Sequence, residues 1–249
     1  GSQDMATSVG YTLRALKLAA AAVRERLSQE QWNIITRAEA EMSSCCVEQA
    51  SQGDYSAAEA LRVLEAASSH LAAITGAQTD RMTRDDGWRL LSIGRQIERL
   101  CFLAPALAGS FESGAVHDDG GFEALIALFD STITFHAQYQ QSREVPALLD
   151  LLVLDRDNPR SLSWVAQTLR GRLAKLAGSP QGELDALALM APDPERWALE
   201  ALCQTAEDGT LPRLAELLSH CNEAAWRISD EISLRYFTHT GESGQSLGA

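Results

Sequence analysis

The feature of this sequence that most constrains its fold is the recurrence of apolar residues at intervals of three and four. The first stretch shows it in Leu13, Leu16, Ala20, Val23 and Leu27. Hydrophobic residues make up 45% of the chain, Ala and Leu are frequent among them, and aromatic residues reach only 6%. Ala and Leu favour helices, whereas β-branched and aromatic residues favour strands. The sequence therefore predicts an all-α fold, a bundle of roughly eight to nine helices with mostly antiparallel neighbours.

Two capping boxes mark predicted helix starts. Ser28 precedes Gln31 by three residues, and Ser56 precedes Glu59 by three. At this spacing the hydroxyl and the longer side chain satisfy each other's free backbone N–H groups. The helix that begins after Ser56 is predicted to end near Thr75, because Gly76 is a typical stop signal.

The remaining boundaries follow from caps, prolines and glycines. They predict a fourth helix from Thr83, a loop over 109–121, a fifth helix over 122–141, a short buried helix over 145–154, a helix that begins at Asn158 and Pro159, a helix over 195–207 and a last helix over 212–237. We expect residues 1–240 to form a single helical domain and 241–249 to be a disordered tail.

The charge excludes whole classes of partner. The chain has 34 acidic and 21 basic residues and a formal net charge of −13. Nucleic acids and anionic membranes are bound by basic faces, so neither is an expected partner. No apolar run approaches the ~20 residues that a membrane span needs. Five cysteines without a C-x-x-C pair are typical of free thiols in a reducing compartment, so we expect a cytoplasmic protein.

Motifs for bound cofactors and metals are missing from the sequence. Neither of the glycine-rich loops that cradle nucleotide phosphates occurs. A di-metal site in a helix bundle needs Glu and His three residues apart, but His70 follows Glu65 by five and His220 follows Glu216 by four. We therefore predict no cofactor and no metal.

The most informative segment is 83–99, T-R-D-D-G-W-R-L-L-S-I-G-R-Q-I-E-R. On a helical wheel Leu90, Ile93, Ile97, Cys101 and Ala104 form an apolar stripe, with Arg89, Ser92, Gln96 and Arg99 opposite. Glu98 falls on a flank with Gly94, where a partly desolvated carboxylate needs a partner such as Arg95. Because a mid-helix glycine costs about 1 kcal/mol, Gly94 predicts the close approach of another helix.

Two interpretations of this segment remain open. The residues form either a buried joint between helices or a polar cleft for a carboxylate, a phosphate or a partner side chain. The candidates are Asp85, Trp88, Arg95, Glu98, Arg99 and Arg160. Arg160 near a helix start opposes the helix dipole. We therefore expect its side chain to reach a carboxylate elsewhere, with Glu98 or Asp155 as first choices.

The same segment resembles a known family. Residues 84–89, Gly94-Arg95 and Glu98-Arg99 resemble the Gly-Arg…Glu-Arg signature of the bacterial alpha-E domain family, a domain of unknown function. Two further stretches are similar to family segments: V-R-E-R-L-S at 23–28 followed by Glu30 and Trp32, and 145–154 followed by Asp155, Asn158, Pro159, Arg160, Ser161 and Leu162. The similar stretches span most of residues 11–170.

The resemblance implies an all-α domain found beside or fused to circularly permuted ATP-grasp proteins, often near transglutaminase-like proteins. Those neighbours form or hydrolyse amide bonds, which implies a role in a peptide-ligase or peptide-tagging system. The chain departs from the family at its start. The opening hairpin with an earlier copy of the signature is absent, and Lys17-Leu18-Ala19 replaces a polar run ending in Asn-Ala-Arg. The expectation is a C-terminal portion of a longer polypeptide.

Two functions are therefore considered. The first is an accessory or interaction domain of an ATP-grasp-type amide or peptide ligase system, without a complete catalytic site. The alternative is an enzyme in which Arg95, Glu98 and Arg160 form a charged pocket for a peptide or amino-acid substrate, with Glu98 as acid or base.

Overall fold

The computed structural model describes residues 8–52, 56–140, 142–178 and 185–237, without the side chains of 46–52. The predicted tail over 241–249 lies outside the described residues. The chain divides into two compact units, residues 1–83 and 84–249. Eleven α-helices and no β-strand are found in the described ranges. The all-α prediction is confirmed, with slightly more helices than expected.

The first unit contains three helices in sequence. They are α1 Val9–Ala22, α2 Gln29–Gln52 and α3 Ala57–Asp80. Helix α2 packs against both α1 and α3. Small apolar clusters form the core, one around Leu13, Met42 and Val63 and another around Ile35 and Ile74.

The second unit is built on three long helices, α4 Asp86–Glu112, α8 Leu162–Leu176 and α11 Pro212–Tyr236. Shorter helices complete it: α5 Asp119–Leu128, α6 Thr132–Tyr139, α7 Val145–Leu149, α9 Ala186–Leu189 and α10 Leu199–Leu202. Helix α4 packs against both α8 and α11, which bury its apolar residues in one large core. Helix α7 continues into a π-helical turn, Asp150–Leu154, whose Leu151, Leu152 and Val153 are fully buried.

The capping box at Ser28 is complete as predicted, whereas at Ser56 only the hydroxyl bond forms and the Glu59 carboxylate accepts from Arg62. The Gln31 N–H donates to Ser28 Oγ at 3.1 Å, and the Ser28 N–H donates to Gln31 Oε1 at 3.0 Å. The Glu59 N–H donates to Ser56 Oγ at 3.3 Å. The predicted end at Gly76 is wrong, because α3 continues to Asp80. An α-helix tolerates an interior glycine at a cost of about 1 kcal/mol.

Three other boundaries differ from prediction. The fifth helix is two helices, α5 and α6, separated by a turn in which Asp130 has φ +47°. Helix α8 begins after Ser161, whose hydroxyl accepts from the Trp164 N–H at 3.0 Å, and not at Asn158. Over 195–207 the predicted helix is replaced by the end of a 3-10 turn, Pro194–Arg196, and the short α10. The buried helix over 145–154 and the last helix are confirmed.

No helix in the described part of the chain combines the length and the apolar character that crossing a bilayer requires. Cys101, Cys203 and Cys221 are free thiols.

Candidate functional site

Asp85 and Trp88 fix the beginning of α4. Asp85 is the N-cap, and its carboxylate accepts from the Trp88 N–H at 3.0 Å. The Trp88 side chain is buried. Asp85 therefore stabilises the start of α4, as an acidic residue directly before a helix commonly does.

Helices α4 and α8 exchange arginine–tryptophan contacts. The Arg99 guanidinium carbon of α4 lies 5.9 Å from the Trp164 ring centroid, and that of Arg172 in α8 lies 4.5 Å from the Trp88 ring centroid. Because the start of α4 meets the end of α8 and Arg99 meets the start of α8, the two helices run antiparallel. Each helix thus places a cation on the other helix's tryptophan.

A third arginine joins the Trp88 end. The guanidinium carbon of Arg84 also lies 4.5 Å from the Trp88 ring centroid. Burial, with the charges of Arg84 and Arg89, lowers the pKa of Arg172. The Arg172 Nε is buried without a hydrogen-bond partner. Arg89 is neutralised by an ion pair with Asp86.

A second cluster forms around Arg99, which is half-buried. Its Nη1 donates to the Pro159 carbonyl at 3.3 Å. Burial lowers the pKa of Arg99 and that of Arg95, and for Arg99 the charges of Arg95 and Arg160 add to the effect. Within the described part of the chain, no carboxylate oxygen lies within ion-pair distance of Arg99.

Arg160 has a carboxylate partner, but not one of the two expected. It forms an exposed ion pair with Asp130, the residue with positive φ between α5 and α6. Asp155 is used locally, since its Oδ1 accepts from the backbone N–H groups of Asp157 at 2.8 Å and Asn158 at 3.2 Å. The expected partners Glu98 and Asp155 were wrong because the turn before α6 carries Asp130 to this end of α8.

Glu98 and Gly94 differ most from expectation. Glu98 is exposed, and no described residue donates a hydrogen bond to it or forms an ion pair with it. Gly94 is exposed too, and no atom of the described residues lies within 4 Å of an added Cβ. The predictions of a desolvated carboxylate and of a close helix at Gly94 are wrong. Helices α8 and α11 cover other faces of α4, and they bury Gln96, which the sequence predicted on the polar side.

The segment before α8 holds Arg160 through a buried amide. Asn158 is 8% exposed, and its Nδ2 donates to the Leu151 carbonyl at 3.1 Å. Its Oδ1 accepts from the Arg160 N–H at 3.1 Å. Asn158 thereby ties the π-helical turn to the residues that carry Arg160. The sequence predicted that Asn158 caps a helix, but it did not predict this link.

Together these residues form a surface that we call the arginine face. It consists of Arg84, Trp88, Arg95 and Arg99 of the α4 region and of Arg160, Trp164 and Arg172 of the α8 region. Trp164 and Arg172 were not predicted from the sequence. They lie eight residues apart on α8, a little more than two helical turns. Of the predicted candidates, Arg95, Arg99, Arg160 and Trp88 belong to the face.

The chemistry available at the arginine face is binding of negative charge. Guanidinium groups match carboxylates and phosphates in bidentate geometry. No group of three His, Cys, Asp or Glu side chains that could hold a metal ion occurs among the described residues. The largest groove described, of about 1190 Å³, lies elsewhere, between the second half of α4 and the first half of α11.

The fold and this face define an all-helical domain whose central helix carries a Glu-Arg pair. The chain belongs to the alpha-E family, described as a predicted alpha-helical domain with a conserved ER motif, and the family model matches residues 1–237. Glu-Arg occurs three times in the chain, at 25–26, 98–99 and 195–196. Only Glu98-Arg99 lies in an α-helix; the other two pairs are in 3-10 turns.

The curated relatives are bacterial proteins of unknown function. Uncharacterized proteins of Mycobacterium bovis and of two strains of Mycobacterium tuberculosis are 28% identical to the chain over 241 residues. The match covers 92% of this chain and 26% of each relative, so the chain spans about a quarter of their length. No solved structure matches the chain.

Proposed function

We propose that this chain is an interaction domain of an ATP-grasp-type amide or peptide ligase system and that it binds its partner through the arginine face. The single observation that carries the proposal is a set of groups on α4 that are exposed or that lack a charge partner among the described residues. They are the exposed Gly94, the exposed Glu98 and the half-buried Arg99 without a carboxylate partner among the described residues.

Gly94 supports this proposal because a glycine at this position lowers the stability of α4. A glycine inside a helix destabilises it by about 0.5–1 kcal/mol relative to alanine. Among the described residues no atom lies within 4 Å of an added Cβ, so no described contact requires the glycine. A partner that approaches the α4 backbone closely would require it.

The arginines support it through their charge. Burial disfavours the charged form of Arg99 and of Arg95, and neighbouring positive charges disfavour that of Arg99 further. An incoming anion would relieve this cost. The protein as a whole is strongly acidic, so this local positive surface selects for a small number of negative groups at one place.

The ligase part of the proposal rests on the context of the alpha-E family, in which circularly permuted ATP-grasp proteins are neighbours or fusion partners. The test is calorimetric titration of the chain with a purified ATP-grasp protein from the same gene neighbourhood. We expect Arg99→Gln to weaken binding about tenfold or more, since a desolvated charge pair is lost. The matched control is Arg213→Gln, the same change of charge at an exposed position on α11. An ATP-grasp protein that does not bind, or equal affinities for both variants, would overturn the proposal.

The exposed Glu98 beside Arg95 and Arg99 favours the enzyme as a second candidate, because a substrate can reach the carboxylate. A ligase assay at a saturating concentration of the domain distinguishes the two functions. Glu98→Gln in an interaction domain leaves the turnover number unchanged, whereas loss of a general acid or base lowers it about 10²-fold or more. Thermal unfolding serves as the control. Because no described residue pairs with Glu98, the substitution should not change the melting temperature.

A further inference from the structure

The arginine face contains two similar clusters at a fixed spacing. Arg84 and Trp88 precede Arg95 and Arg99 by eleven residues each. Eleven residues are about three helical turns, so Trp88 and Arg99 lie along one side of α4. Arg84 precedes the helix and joins this side through its contact with the Trp88 ring. The rise over that distance is about 16 Å.

Helix α8 and the segment before it complete both clusters. Arg172 joins Arg84 at Trp88, and Trp164 receives Arg99 while Arg160 lies near enough to shift the pKa of Arg99. Each cluster therefore contains one tryptophan and at least two arginines. Leu91 and Ser92 lie between the clusters on α4, so the positive charge is in two separate patches.

The way the arginines are held keeps positive charge at the surface. A guanidinium that stacks on an aromatic ring keeps its N–H groups in its own plane, where they can bind a carboxylate in bidentate fashion. At the first cluster Arg84 is exposed, whereas the Arg172 Nε is buried. At the second cluster Arg99 donates only to one carbonyl among the described residues.

We propose that the arginine face binds an extended acidic peptide segment, with one carboxylate on the Arg84–Arg172 cluster and another on the Arg95–Arg99–Arg160 cluster. This inference rests on the proposed function, since it names the partner chemistry of the same surface. An extended chain advances about 3.3 Å per residue and alternates its side chains between two faces, so two carboxylates about 16 Å apart on one face are about four or six residues apart. A nucleic acid would carry negative charge along its whole length and would be repelled by the acidic remainder of the protein.

The test measures binding of labelled peptides to the whole chain by fluorescence anisotropy. The main probe is a peptide with two glutamates separated by five glycines. The comparison probes replace one glutamate by glutamine, or shorten the spacer to one glycine. We expect the two-glutamate peptide with the long spacer to bind about tenfold tighter than either comparison peptide, because the second contact is intramolecular.

Variants assign each contact to its cluster. Arg84→Gln for the first cluster and Arg99→Gln for the second should each reduce the affinity of the long peptide to that of the single-glutamate peptide. Arg213→Gln should not change it. Circular dichroism shows whether each variant is folded. Because Arg84 is exposed, Arg84→Gln still tests the proposal if Arg99→Gln fails to fold.

The outcomes separate the inference from the proposed function. Equal affinities for one-glutamate and two-glutamate peptides would overturn the two-cluster inference, and so would an oligonucleotide that competes better than the peptide. If the peptides do not bind but the ATP-grasp protein does, in an Arg99-dependent way, the inference fails and the proposed function stands. If the peptides bind as expected and the ATP-grasp protein does not, the inference stands and the ligase assignment fails.

Discussion

The sequence predicted what kind of partner a residue needs better than it predicted which residue that partner is. The sequence indicated that Arg160 needs a carboxylate, and the structure supplies one, Asp130. The identity of that partner depends on a turn with positive φ at Asp130, which no local pattern marks. Glu98 shows the opposite error, because the helical wheel could not tell that α8 and α11 leave its flank of α4 uncovered. Partners are set by tertiary packing, and a single helix does not contain that information.

Asn158 gives a prediction about a buried polar group. Its side chain donates to the Leu151 carbonyl and accepts from the Arg160 N–H. Asn158→Ala leaves both backbone groups without these partners and should lower the free energy of unfolding by about 2 kcal/mol in urea titrations. The neighbouring control, Asp157→Ala, is at an exposed position and should change it by less than about 0.5 kcal/mol. A loss at Asn158 as small as that at Asp157 would contradict this role.

Cys221 gives a prediction about pH. Burial raises the pKa of its thiol to about 12. The unfolded chain loses this proton near pH 8.5, whereas the folded protein keeps it. The stability that the neutral thiol contributes is therefore complete below about pH 8.5 and is lost as the pH rises toward 12. The excess stability of the wild type over Cys221→Ala should shrink between pH 8 and pH 11 in denaturant titrations. The deficit of Leu218→Ala, which removes no ionisable group, should not vary; a constant Cys221 difference would contradict the prediction.

At the scale of elements, local chemistry located helix starts better than helix ends. Ser28, Ser56 and Asp85 cap helices at or near the predicted positions, because a cap is satisfied by residues three positions away. Gly76 did not end α3. A glycine inside a helix costs only about 1 kcal/mol, which burial of the helix face can offset. The pairing of α4 with α8 could not be predicted, because it joins residues distant in sequence.

Gly94 provides the prediction at this scale. Gly94→Ala should raise the free energy of unfolding by about 0.5–1 kcal/mol, because alanine is the better helix former and nothing lies within 4 Å of the new Cβ. The matched control is Gly178→Ala. Gly178 has φ +68°, and there alanine should destabilise by about 1 kcal/mol. Chemical denaturation of the two variants measures both, and a destabilising Gly94→Ala would show that the domain itself needs this glycine.

At the scale of the whole molecule, the net charge and the division into two units matter most. A charge of −13 describes the average surface, and the arginine face is a local exception to it. The single domain predicted over 1–240 remains a prediction: the family model covers residues 1–237, whereas contacts divide the chain at residue 83. The all-α class followed from composition, but the division of the core could not be predicted, since the break between helices near residue 83 resembles the other breaks in the sequence.

The two units should differ in local stability, because their hydrophobic cores differ in size. The described core of the first unit consists of two small clusters, whereas one large cluster of fully buried residues holds the second. Amides in the middle of α2 and α3 should therefore exchange with deuterium before those in the middle of α4, α8 and α11. Hydrogen-exchange mass spectrometry of the intact chain measures this order. Uniform protection along all five helices would contradict it.

The central claim is that the arginine face is where this domain meets its partner. The most direct test is hydrogen-exchange mass spectrometry of the chain with and without the purified ATP-grasp protein. The account predicts added protection in residues 84–99 and 158–172, with little change in the groove between the second half of α4 and the first half of α11. Protection in that groove with none on the arginine face would contradict the account.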